Sequence, residues 1–158
     1  MYTTHYLRTV ISKLEELENS LRNPAQINII HRIDKVIFLH SGLTADFLKW
    51  LDEDLLDTDI DDVIVAVNDV PHDYLWSDVS PLWHRPQYET REIFGADTYK
   101  QVVGYTAVEK IFEKDGIIST GVFSTYRDGT QIGESAMIVI DSETVEYEKV
   151  ETMGKAGV

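Results

Sequence analysis

At 158 residues, with 43% hydrophobic and 10% aromatic content, the chain has the length and composition of one globular domain, not of a disordered segment. It contains no cysteine, which excludes a disulfide framework, a thiolate metal site and a cysteine nucleophile. A formal net charge of −14 argues against nucleic-acid binding as the main role and against anionic membranes, which both reward Lys and Arg; a basic protein partner, a cation or plain solubility each suits it.

In chain order, residues 4–22 read as an amphipathic helix. Leu7, Val10, Leu14, Leu17 and Leu21 recur at three- and four-residue steps, and Glu15, Glu16 and Glu18 lie off that stripe. Pro24 ends it. Asn23 as N-cap, Pro24 and Gln26 then predict the start of a second helix. Ile29, Ile30, Ile33, Val36, Ile37 and His40 keep helical spacing up to Ser41 and Gly42. The rival reading is a buried strand over 35–39, because Val36, Ile37, Phe38 and Leu39 form an unbroken apolar run. The helical spacing is favoured, which gives a helical hairpin.

Thr44 predicts the cap of a third helix, with Asp46 in its first turn and Phe47, Leu48, Leu51, Leu55 and Leu56 on one side. Residues 57–62 read as an acidic connection into a buried strand over 63–67. Residues 72–86 are irregular and aromatic, and 87–100 are ambiguous between helix and strand. From Val103 onward a β-meander is expected. Its hairpin turns fall at Lys114, Asp115 and Gly116 and at Arg127, Asp128 and Gly129, since glycine accepts the positive φ of such turns. Thr106 and Glu109 carry a competing helix-start signal.

The expected fold class is therefore α+β, with a helical hairpin and a third helix packed on a mainly antiparallel sheet. It forms one domain over 1–158, mainly helical over 1–56 and mainly β over 62–152, with a tail at 153–158.

Three groups of residues are candidates for function. Between Asp46 and Asp78 eleven acids face one base, Lys49, and Asp52, Glu53, Asp54, Asp57, Asp59, Asp61 and Asp62 crowd its centre. Such crowding is self-repulsive unless a cation or basic surface relieves it. Asp57, Asp59 and Asp61 copy the start of a calcium loop, but Asp62 replaces the turn glycine and Asn68 stands where the bidentate Glu belongs. A solvated acidic connection explains the stretch equally simply. Second, Tyr74, Trp76, Trp83 and Tyr88 can anchor an interface or line a pocket, or else cover the sheet as ordinary core. Third, His72, Asp73 and His84, with Asp78 in the same loop, form an alternative polar site, a His/carboxylate metal or acid–base pair, where a plain polar surface is the simpler account. His31 and His40 are expected at the edge of a packed helix.

No Walker lysine, dinucleotide glycine fingerprint or nucleophile elbow is present in the sequence. The expectation is a non-enzymatic acidic interaction or assembly module without cofactor or metal, for instance a phage or virus connector or tail subunit. A protein partner or homo-oligomer is expected, with no direct nucleic acid and no membrane. The alternatives are a ligand-binding domain or enzyme of helix-plus-curved-sheet (cystatin-like or NTF2-like) type, and an acidic inhibitor or immunity-type protein. No stretch approaches the ~20 apolar residues of a membrane span. Residues 1–8 lack a signal-peptide pattern, which makes the cytoplasm, or a particle assembled there, the default location.

Overall fold

Residues 30–39 set the architecture. Strands β1 (Ile30–Ile33) and β2 (Val36–Leu39) pair antiparallel through a two-residue turn at Asp34, whose φ of 47° is of the kind such turns demand. This corrects the second predicted helix. The three- and four-residue spacing that suggested it also arises when two four-residue strands flank a tight turn. The β-branched, fully buried Val36 and Ile37 favour the strand. The computed structural model describes residues 28–85, 88, 89 and 91–152, with the backbone alone at His72. The first predicted helix (residues 4–22) and the tail (153–158) lie outside the described residues.

The third predicted helix is present as α1 (Ala45–Leu51). Thr44 Oγ1 accepts from the Phe47 N–H at 3.3 Å, and Ala45, Phe47 and Leu48 are buried. A 3₁₀ turn (Glu53–Asp57) follows, then α2 (Ile60–Asn68). Helix α2 replaces the strand expected over 63–67. Asp59 caps it by accepting from the Asp61 N–H at 2.9 Å, and Asp61 and Asp62 sit favourably in the first turn. Ile60, Val63 and Val67 point inward at helical spacing while Val65 is exposed, so capping and packing override the β preference of valine.

Beyond α2 come β3 (Lys100–Val103), β4 (Phe112–Lys114) and β5 (Ile117–Ser119). The main sheet has the order β1-β2-β3-β5-β4. Strand β3 runs parallel to β2 and to β5, and only the outer pairs are antiparallel. The expected antiparallel meander is thus a mixed sheet with a parallel centre. The long β2–β3 connection carries both helices, the kind of crossover that parallel pairing requires. The predicted turn at Asp115 and Gly116 does join antiparallel β4 and β5. The one at Asp128 and Gly129 closes only a single bridge, Thr125 to Gln131. Residues 106–109 form no helix, and 87–100, where described, hold turns and one bridge at Ile93 before β3 begins at Lys100. A separate two-stranded ribbon, β6 (Ala136–Ile140) and β7 (Tyr147–Glu151), completes the fold.

The sheet is covered unequally. Its front face, with Ile30, Ile37, Leu39, Val103 and Ile117, packs against Phe47, Leu48, Val63 and Val67 of the helices. On its back face Val102 and Ile118 pack against Ala136, Ile138 and Ile140 of the ribbon. His31 and Phe38 share that back face by register and lie outside the ribbon's cluster.

Candidate functional site

The carboxyl ends of β2 and β3 meet. The N–H groups of Gly104 and Tyr105 both donate to His40 O, at 3.3 and 3.0 Å, so the residues leaving the two strands are held side by side. The rings of His40 and Tyr105 lie 4.6 Å apart, and the Arg85 guanidinium carbon stands 5.0 Å from the Tyr105 ring, in cation–π range. In open sheets this edge of adjacent parallel strands is where ligands are usually taken.

The aromatic loop is pinned to the same edge. Ser41 N–H donates to Pro81 O at 3.0 Å, and the N–H groups of Trp83 and His84 donate to Ser80 O at 3.1 and 3.0 Å. Trp83 stacks on Trp76 with centroids 5.3 Å apart, approaches Tyr105 edge-on, and donates its indole N–H to Leu75 O at 2.9 Å. A second pair, Trp50 of α1 and Tyr74, lies 5.0 Å apart, with Phe47 behind Trp50. These aromatics are not core: Trp76 is 72% exposed, Trp50 46%, and Trp83 and Tyr74 both 42%. Tyr88 is exposed as well, but none of these ring contacts includes it.

Beside Trp83 opens a cleft of ≈ 740 Å³, walled by His31, Phe38, Val70, Leu75 and Leu82, with His40 at its lining. His31 and His40 therefore occupy a strand and a strand end, in contrast to the helix edge expected for them.

The acidic segment divides into structural and free carboxylates. Asp52 and Asp59 cap the 3₁₀ turn and α2, and Asp61 pairs with Arg32. Glu53, Asp54, Asp57 and Asp62 are exposed. Helix starts absorb part of the self-repulsion that the sequence implied. Asp57, Asp59 and Asp61 belong to these turns, and the described residues contain no group of three or more His, Asp or Glu that could hold a metal ion.

Two residues of the alternative polar site stand in different surroundings. Asp73 is exposed, whereas His84 is buried, with Nδ1 3.5 Å from Glu89 Oε1. Its Nε2 is buried without a hydrogen-bond partner among the described residues. Burial lowers the His84 pKa, and the Glu89 carboxylate opposes that shift. The side chain of His72 lies outside the described residues.

Sequence reasoning missed His40, Arg85 and Tyr105. The available signal for His40 and Tyr105 was a polar or aromatic residue one or two positions after the apolar runs ending at Leu39 and Val103, which reads as a site only once those runs are parallel strands.

No protein-family model matches the chain, and no curated protein matches it. Among solved structures it is similar to a cold-active protein tyrosine phosphatase, at 17% identity and TM-score 0.42, covering 77% of this chain and 41% of that one. A point mutant of a cold-active protein tyrosine phosphatase gives 16% identity, TM-score 0.42, and coverage of 78% and 43%. The chain thus spans less than half the length of these structures, and at that TM-score the likeness carries no argument for fold or activity.

Proposed function

We propose that this domain is a protein-docking module that engages a basic partner through its aromatic surface. The observation that carries the reading is the placement of tryptophan. All three tryptophans of the chain are at least 42% exposed, and they form two aromatic groups, Trp50 with Tyr74 and Trp76 with Trp83 and Tyr105, joined in the chain by the short turn that carries both Tyr74 and Trp76. Large aromatics left in water at this density are characteristic of interface anchors, which combine wide contact area with few rotatable bonds. The free carboxylates Glu53, Asp54 and Asp57 follow Trp50 closely in the chain and supply a negative rim, which speeds encounter with a cationic surface. This reading keeps the expected protein partner and drops the particle subunit, which no observation favours.

The test is affinity capture from the producing cell, comparing wild type with Trp76→Ala/Trp83→Ala at low and high salt. A basic protein held by the wild type at low salt, and lost both in the double variant and at high salt, supports the reading. Equal recovery by the double variant overturns it.

A second reading, a small-ligand site, is favoured by the convergence of His40, Arg85 and Tyr105 at the strand ends beside the cleft. Titration of tryptophan fluorescence with candidate ligands, in wild type and Arg85→Ala, separates the two, because Trp83 lines the cleft and reports its occupancy.

A further inference from the structure

The two aromatic groups differ in the charge beside them. We propose that the pair of Trp50 and Tyr74 takes an arginine side chain of the partner, so that the partner's positive charge is seated there and not at Trp76 and Trp83. This assignment rests on the docking reading and names the chemical group that the basic partner presents.

The fold itself provides the comparison. At Tyr105 the chain supplies its own cation, with the Arg85 guanidinium carbon 5.0 Å from the ring centroid. Trp50 and Tyr74 lie with centroids 5.0 Å apart and planes inclined at 59°, so their faces are not closed into a stack, and both rings are more than two-fifths exposed. Among the described residues no Lys or Arg stands over either of them. Lys49 adjoins Trp50 on α1, but successive helical residues do not face each other.

The carboxylates supply the sign. Asp73 adjoins Tyr74, and Glu53 and Asp54 follow Trp50 by three and four residues in the 3₁₀ turn after α1. All three are exposed, and none forms an ion pair among the described residues. A cation at this pair is attracted both by the negative faces of the rings and by the carboxylates. The other group offers less to a cation. Arg85 already stands over Tyr105 and repels a second positive charge, while Trp76 and Trp83 turn ring faces toward each other at 5.3 Å and 23°. That stack suits apolar contact.

Arginine fits better than lysine. Its guanidinium is planar and more weakly hydrated, so it leaves water for a ring face at lower cost and can still donate in its plane to a carboxylate.

The chain has three tryptophans, and each indole N–H gives its own signal in a nitrogen–proton correlation spectrum. The full chain is titrated at low salt with acetyl-Gly-Arg-Gly-amide, and with the same peptide carrying citrulline, the neutral isostere of arginine. A saturable shift of the Trp50 signal is expected with the arginine peptide, larger than those of Trp76 and Trp83 and absent with citrulline. Trp50→Ala should weaken the peptide roughly three- to thirtyfold, followed at the backbone signals of Glu53 and Asp73. Equal affinity in that variant overturns the proposal, because it reduces binding to attraction by the net charge of −14. A larger shift at Trp76 or Trp83, or an equal response to citrulline, overturns it as well, and this wild-type pattern decides alone if the variant does not fold. A basic protein lost from Trp76→Ala/Trp83→Ala but held fully by Trp50→Ala would leave the docking reading standing and sink the arginine site.

Discussion

The side-chain amide of Asn68 does the work of a neighbouring strand for Ile30. The Ile30 N–H donates to Asn68 Oδ1 at 3.0 Å and Asn68 Nδ2 donates to Ile30 O at 3.0 Å. Strand β1 is the edge of the main sheet, so these two groups would otherwise face a partly buried site unpaired. One residue at the last position of α2 thereby closes the sheet and fixes helix to strand.

Asn68→Ala removes both bonds and leaves a buried peptide without partners. The expected loss of stability is about 1–3 kcal/mol, read from the urea midpoint at unchanged m-value. Asn68→Asp should be worse than Asn68→Ala, because it keeps the acceptor but sets a carboxylate against Ile30 O.

Gln101 plays a comparable part inside the fold. Fully buried on β3, it accepts from the Leu43 N–H at 2.8 Å and donates to Leu43 O and Phe94 O, both at 3.0 Å. It thus binds the loop before α1 to the turn before β3. Gln101→Leu, of similar shape, should cost on the order of 3 kcal/mol, because it strands three backbone groups at once. A chemical denaturation curve matching the wild type would show that water had replaced the amide.

How much of this was legible in the sequence depends on range. Signals confined to a few residues were readable: Thr44 as a cap and Asp115 with Gly116 as a turn both form as expected. Signals set by partners distant in sequence were not. The run ending at Leu39 is a strand because β3, some sixty residues later, pairs alongside it. Val63 to Val67 has the composition of a strand, yet Asp59 caps it into a helix that buries one side only. The aromatic loop was visible as a candidate, but His40 and Tyr105 became neighbours only through parallel pairing of β2 and β3.

The glycines of the β-rich half divide in the same way. Gly129 has φ +85 at an open turn tip, so Gly129→Asn, which tolerates that backbone, should be nearly silent. At Gly133 an added Cβ would meet Val108 O and come 2.7 Å from Val122 O, both backbone atoms that cannot swing away. Gly133→Ala should therefore destabilise by about 1–3 kcal/mol through overpacking. Thermal melts of the two variants side by side check the contrast; equal midpoints would mean the backbone yields.

The exposed tryptophans should matter little to folding. Trp76→Ala is expected to shift stability by no more than about 0.5 kcal/mol, as for other surface positions. Trp83→Ala should cost about 1 kcal/mol, since its indole N–H to Leu75 O bond is lost too. Equilibrium unfolding checks both, and a large loss at Trp76 would move that ring into the fold's own stabilisation and weaken the docking reading.

His84 gives the domain a dependence on acid. Burial holds its pKa below the ordinary value of 6.5 in the folded state, so the fold keeps the ring neutral where the unfolded chain would protonate it. Above pH 6.5 the ring is neutral in both states and has no effect. As pH falls through 6.5 the unfolded chain binds the proton first, and stability declines until the folded-state pKa is passed. The nearby Glu89 limits this decline without reversing it, and Arg91, which pairs with both Glu89 and Asp46, strengthens it. Urea midpoints of wild type and His84→Gln between pH 7.5 and about 5 isolate the contribution, because carboxylate titrations are common to both proteins. The wild type should lose more stability than the variant over that interval; parallel curves would show that the imidazole keeps its unfolded-state proton affinity within the fold.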